Sequence, residues 1–116
     1  MDTSSNINWD SISEVQQYIV NWADDRFPNR TPHQALSKLV LEELPEMLQA
    51  KNTGVALDQL EGEWADTLIL LLDLAKLWGI NPSRGLRNKM MKNNLRQWKL
   101  GDGGLFHHVG EEDGHR

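Results

Sequence analysis

The feature that most constrains this 116-residue chain is a periodicity: apolar residues recur every three or four positions in four successive blocks, and no block alternates apolar with polar residues as a strand would. Proline and glycine separate the blocks. The first runs from about Trp9 to Phe27 and ends at Pro28; Ser11 and Glu14 have the spacing of a capping box, and Ile12, Val15, Ile19 and Trp22 lie along one stripe. The second opens with Thr31 as N-cap and Pro32 at the first helical position and continues to about Ala50, where Asn52, Thr53 and Gly54 make a turn. In the third, Asp58 and Glu61 read as a start signal, Leu60, Trp64, Leu68, Leu71 and Ala75 form the stripe, and Gly79 is the stop. The fourth starts at Asn81 and Pro82, carries Leu86, Met90 and Leu95, and extends to about Leu100. Trp64 and Trp78 are assigned to packing. The expected architecture is all-α with short connections, one domain over residues 1–100, and a mobile Gly, His and acid-rich tail over 101–116. The alternatives for that tail are a flap over a site or metal capture by His107 and His108.

Composition narrows the partners. Twelve Lys and Arg against 17 Asp and Glu give a net charge of -5, which argues against a nucleic-acid polymer or an anionic membrane as the main partner. With no Cys, thiolate metal sites and cysteine nucleophiles are excluded. The longest strongly apolar stretch, Leu68 to Leu72, is too short to cross a bilayer, and residues 1–8 lack the regions of a signal peptide, so a soluble cytoplasmic protein is expected. A chain this short has a modest core, which raises the expectation of self-association.

The chemistry lies where acids interrupt apolar stripes. Leu36, Leu39, Glu43 and Glu46 share one line of the second helix, and Glu63, Asp66, Leu70, Asp73 and Leu77 share one line of the third. Residues three apart on a helix are neighbours, so Glu43 with Glu46 and Glu63 with Asp66 each make a two-carboxylate claw. Facing claws would put four carboxylates around one point, a repulsive arrangement that desolvation worsens by several kcal/mol per ion unless a cation is present. No His or Cys accompanies the claws, and hard oxygen ligands select Mg²⁺ or Mn²⁺. Magnesium shared between carboxylates and substrate points to phosphate-ester or nucleotide chemistry. Glu42, about 100° around the helix from Glu43, is placed to hold a further metal, to orient water, or simply to face solvent. On the fourth helix Lys89, Asn93 and Arg96 share a face and offer donors suited to a polyphosphate, or else an ordinary basic face.

These residues resemble a known family. Leu-Glu-Glu-Leu-Pro-Glu at 41–46, separated by 16 residues from Glu-Trp-Ala-Asp at 63–66, is similar to the E-E-x-x-E and E-x-x-D signature of the MazG-like all-α nucleoside triphosphate pyrophosphatases. Lys89, Asn93, Arg96 and Trp98 resemble the K-x-x-x-N-x-x-R-x-W pattern of that superfamily's phosphate-contacting helix. The nearest branch is the short dATP/dGTP pyrophosphohydrolase type of bacteria and phages, which has a tryptophan where this chain has Trp22.

The resemblance implies a four-to-five-helix bundle subunit of a homodimer or homotetramer. It implies hydrolysis of a purine deoxynucleoside triphosphate, dGTP somewhat ahead of dATP, to the monophosphate and pyrophosphate. Two or three Mg²⁺ or Mn²⁺ ions would be held by Glu43, Glu46, Glu63 and Asp66, with Glu42 for a further ion or the water, and Lys89, Asn93 and Arg96 on the phosphates. Trp22, Phe27 and Trp98 are candidates to stack on the base or to pack the core, and Asp73 to contact sugar or base or to cap a buried amide. Possible phage origin would put the enzyme in the host cytoplasm. Pro45 departs from the pattern: either the helix kinks there or it ends near Leu44, which would remove Glu46 from the site. Two rivals are a di-iron carboxylate bundle, which lacks its Glu-x-x-His here, and a non-enzymatic acidic helical interaction module.

Overall fold

The computed structural model describes residues 6–109, so the acidic run Glu111, Glu112 and Asp113 lies outside the described residues. The elements are α1 (Ile12–Arg26), α2 (Pro32–Lys38), a π-helical turn (Leu39–Glu43), α3 (Leu44–Thr53), α4 (Leu57–Leu77), α5 (Pro82–Leu95), β1 (Gln97–Leu100) and β2 (Phe106–Val109). Contacts divide the chain into two units, Met1–Ser83 and Arg84–Arg116.

In the first unit, local signals set the helix ends. Ser11 Oγ accepts from the Glu14 amide at 3.2 Å, while the Glu14 carboxylate accepts instead from the Asn8 amide. Thr31 and Gln34 form a reciprocal capping box, with Pro32 in the first turn. The expected start at Asp58 is one to two residues late: α4 begins at Leu57 after Ala56, which has no side-chain cap bond, and Asp58 sits in the first turn, where its charge suits the helix dipole. Gly79 adopts φ 74 just past α4, a conformation that only glycine reaches without strain.

The α4 helix is the hub of this unit, in contact with α1, α2, the π turn and α3. Its buried core consists of Ile19, Val20 and Ala23 from α1, Ala35, Leu39, Ala50, and Leu72 and Leu74 from α4. Burying a leucine in this way contributes about 2 kcal/mol. No large side chain is fully buried among the described residues, and Trp64 and Trp78, expected to pack, are exposed. A stripe of leucines and tryptophans therefore remains uncovered on a single chain.

Pro45 neither ends the helix nor leaves it ideal. Backbone angles stay right-handed helical at Lys38, Leu39, Glu43 and Leu44, and the Leu44 amide reaches back five residues to the Leu39 carbonyl. An α-helical proline at 45 would press its ring on the carbonyl of residue 41 and leave that carbonyl without a donor. The wider π turn just before it gives that carbonyl room, so the chain passes through Pro45 into α3.

The second unit differs from the expected long fourth helix. After Leu95 the chain turns, and β1 pairs antiparallel with β2 in the register Gln97↔Val109, Trp98↔His108, Lys99↔His107 and Leu100↔Phe106. Gly103 and Gly104, at φ 80 and 81, make the reversal that a side chain would obstruct. The all-α expectation therefore needs a small β-hairpin added, and residues 101–109 of the expected mobile tail are part of it.

Candidate metal and nucleotide site

The first unit brings three acids together. Glu43 ends the π turn, and Glu63 and Asp66 lie one turn apart on α4; one carboxylate oxygen from each falls within 4.8 Å of the other two. Glu43 is 6% exposed, Glu63 half-buried and Asp66 exposed, so the cluster grades from the interior to the surface. Three negative charges at this spacing repel strongly where water is excluded. The local compensation is Lys38, one turn before Glu43, whose Nζ is 2.9 Å from Glu42 Oε1 and 3.1 Å from Glu43 Oε2. These bonds, to Glu42 first and Glu43 second, hold the Lys38 pKa above the ordinary lysine value. One ammonium leaves an excess of two negative charges over the three acids, and an all-oxygen donor set of this kind fits a hard divalent ion.

Glu46, the expected fourth ligand, is exposed on α3 and is not among the three acids whose oxygens converge. Glu42 faces Lys38 and is exposed.

Beside the trio opens a cavity of about 770 Å³, with Glu43, Asp66 and Lys38 on its polar side and Trp22, Phe27 and Arg30 among its other walls. Trp22 and Phe27 meet edge to face, with centroids 5.6 Å apart, and the Arg26 guanidinium lies 5.2 Å from the Trp22 ring centroid. Both aromatics retain exposed surface, so neither belongs to the core. Asp73 is buried and does not line the cavity; Arg30 holds it through Nε to Oδ2 at 2.6 Å and Nη2 to Oδ1 at 2.7 Å. Sequence reasoning missed Arg30 and Lys38. A signal was available for Lys38, which is four residues before Glu42, whereas Arg30 pairs across 43 positions and sits in what reads as a linker.

The second unit holds the other expected residues. Lys89 and Asn93 lie on α5, but Arg96 follows its last residue, so the three do not continue one helical face. Asn93 Nδ2 meets Met90 Sδ at 3.8 Å, and its buried Oδ1 has no partner among the described residues. Trp98 lies on β1, donates from Nε1 to the Asn93 carbonyl at 2.9 Å and meets His108 edge-on.

No family model matches the chain. It is 42% identical over 107 residues to a dATP/dGTP diphosphohydrolase of Salmonella phage PMBT28, covering 90% of this chain and 34% of that protein. The chain thus spans about a third of that relative's length. It is 36% identical over 103 residues to the dATP/dGTP diphosphohydrolase of Cyanophage S-2L, covering 89% of this chain and 92% of that one. Among solved structures it resembles the Cyanophage S-2L MazG-like pyrophosphohydrolase bound to dGDP and three catalytic Mn²⁺ ions per active site, with a TM-score of 0.71, 35% identity, and coverage of 86% of this chain and 98% of that one.

Proposed function

The chain belongs to the MazG-like family of dATP/dGTP pyrophosphohydrolases, and we propose that it hydrolyses a purine deoxynucleoside triphosphate to the monophosphate and pyrophosphate with the help of divalent ions. The observation that carries this reading is the adjacency of two features. Three carboxylates converge, and two of them, Glu43 and Asp66, line a cavity of about 770 Å³ that also has two aromatic walls. The alternative of a non-enzymatic module whose acids face a basic partner is less favoured, because Glu43 is buried within the chain.

In this proposal Glu43, Glu63 and Asp66 hold Mg²⁺ or Mn²⁺. Glu46, one turn further on, serves an additional ion, in keeping with the three Mn²⁺ ions of the Cyanophage S-2L structure. Glu42 orients the attacking water. A bound divalent ion supplies charge neutralisation for the phosphates and an acidified water. Trp22 and Phe27 stack on the base and keep water from it, and Lys38 offers its ammonium to the phosphate end of the cavity. Lys89, Asn93 and Arg96 are proposed as phosphate contacts on the strength of their spacing in the sequence and their donor chemistry. Residues 1–100 are proposed to act as one catalytic domain. Asp73 acts through Arg30, and Trp98, already bonded to Asn93, is not retained as a base contact.

The proposed assembly is a homodimer or homotetramer, supported by Leu41, Leu48, Leu57 and Trp64, which a single chain leaves exposed. No helix among the described residues is long and apolar enough to cross a membrane. The proposed place of action is the cytoplasm, where nucleoside triphosphates are available.

The test is a panel of four dNTPs with Mn²⁺ or Mg²⁺, followed by ³¹P NMR. Pyrophosphate and a monophosphate should appear for a purine nucleotide and stop with EDTA. If every nucleotide survives with either metal, the proposal is wrong.

A further inference from the structure

Arg30 is held in the cavity wall by more bonds than a structural tie between a loop and α4 requires. Nε donates to Asp73 Oδ2 at 2.6 Å, Nη2 to Asp73 Oδ1 at 2.7 Å and to Asp24 Oδ1 at 2.9 Å, and Nη1 to the Phe27 carbonyl at 3.2 Å. Four of the five guanidinium N–H groups are thereby committed, and one on Nη1 remains. The Arg30 side chain is 13% exposed, and Asp73 is more deeply buried still. An enclosed ion pair is rarely a more stable tie than apolar packing of the same volume, so stability alone does not account for it. The bidentate pair does fix the plane of the guanidinium, next to Trp22 and Phe27, which line the same cavity.

We infer that Arg30 is a specificity-determining residue of the nucleotide site, favouring guanine over adenine, with Asp73 and Asp24 as its positioning residues; this rests on the function proposed above. A guanidinium carries donors only. Guanine presents two acceptors, O6 and N7, on one edge, whereas adenine replaces O6 with an amino donor. A rigid, charged donor therefore gains a bond and a favourable dipole from guanine. Against adenine it meets a second donor and cannot turn away, because Asp73 holds it on two atoms. Asp73 itself does not line the cavity, so its influence passes through Arg30.

The experiment measures kcat and KM for dGTP, dITP and dATP; dITP keeps O6 and N7 but lacks the guanine amino group. The native protein should favour both dGTP and dITP over dATP by about tenfold or more in kcat/KM. Arg30→Gln should lower the values for dGTP and dITP by about 10- to 100-fold, mostly through KM, and raise that for dATP, while Arg30→Lys restores part of the preference. Asp73→Asn should shift the same ratio in the same direction. Mn²⁺ binding, followed by electron paramagnetic resonance, should be unchanged in each variant. An equal preference in the native protein, a dITP value that follows dATP, or an equal loss on all three nucleotides with Mn²⁺ still bound overturns the assignment. If Arg30→Gln or Asp73→Asn does not fold, Asp24→Ala decides, since it removes one bond from an exposed partner: a reduced dGTP to dATP ratio supports the inference and an unchanged ratio overturns it. A native protein that cleaves dGTP and dATP equally fails this inference alone, whereas one that cleaves no nucleotide fails the proposed function itself.

Discussion

Lys38 places its Nζ 3.1 Å from Oε2 of the buried Glu43, so an ammonium shares the carboxylate that is best placed to hold a divalent ion. The same Nζ also bonds Glu42, and the pair keeps the lysine charged. In the metal-free chain this contact offsets part of the repulsion among Glu43, Glu63 and Asp66. When an ion binds, the lysine and the ion compete for one group.

That competition makes a stability prediction. Lys38→Met should lower the Tm of the metal-free protein by about 2–5 °C, because the buried carboxylate loses its partner although the lysine itself is half exposed. Saturating Mn²⁺ should then raise the Tm of Lys38→Met by more than it raises that of the native protein. Differential scanning calorimetry with and without Mn²⁺ checks both shifts; equal Mn²⁺ gains would show that the lysine does not act at the metal position. Glu43→Gln, by contrast, should abolish the Mn²⁺ gain.

Pro45 gives a second prediction. The π turn before it accommodates the proline and sets where the Glu43 side chain lies relative to α4. Pro45→Ala returns an amide donor and permits an ordinary α-helix, which would rotate Glu43 away from Glu63 and Asp66. Stability should rise by about 1 kcal/mol while kcat/KM falls at least about tenfold, since proline is the poorest helix former and its removal releases the bulge. A combination of chemical denaturation and steady-state kinetics reads both. An increase in stability with full activity would mean that the bulge does not position the acid.

Much of this architecture is legible in the chain because short-range chemistry marks it. Thr31, Pro32 and Gln34 specify a helix start within four residues, Gly79 specifies a stop, and the spacing of Glu63 and Asp66 puts them on one helix face wherever α4 packs. The E-E-x-x-E pattern likewise points to Glu43. The misses have equally definite causes. Lys89, Asn93, Arg96 and Trp98 keep helical spacing past Leu95, yet the four-residue strands Gln97–Leu100 and Phe106–Val109 are too short to announce an alternation. The π turn at Leu39–Glu43 shifts the phase of Glu43 relative to Leu36 and Lys38, which no propensity reports. The bond from Arg30 to Asp73 spans 43 positions, so only packing reveals it.

The uncovered leucines predict assembly. Leu41 is 73% exposed on the π turn, and Trp64 is exposed on α4. A second copy covering these residues would remove apolar area worth about 25 cal/mol per Å². Size-exclusion chromatography with light scattering should show a dimer or tetramer for the native protein. Leu41→Glu combined with Trp64→Gln should shift it toward monomer, with the far-ultraviolet circular dichroism unchanged. A native monomer at 100 µM would remove the interface from the proposal.

Trp22 tests the aromatic wall. It is 41% exposed, meets the edge of Phe27 and carries the Arg26 guanidinium over its ring, so little of the core depends on it while its ring borders the cavity. Stacking of a base on such a ring contributes about 1–3 kcal/mol, which corresponds to a change in affinity of roughly 5- to 150-fold. Trp22→Ala should therefore raise KM for a purine dNTP by about tenfold and leave kcat within about twofold, because the carboxylates are untouched. Trp22→Phe, which keeps a ring face, should retain most of the affinity. If Trp22→Ala lowers kcat at constant KM, the ring acts on the geometry of the acids rather than on the base, and the nucleobase must be held elsewhere.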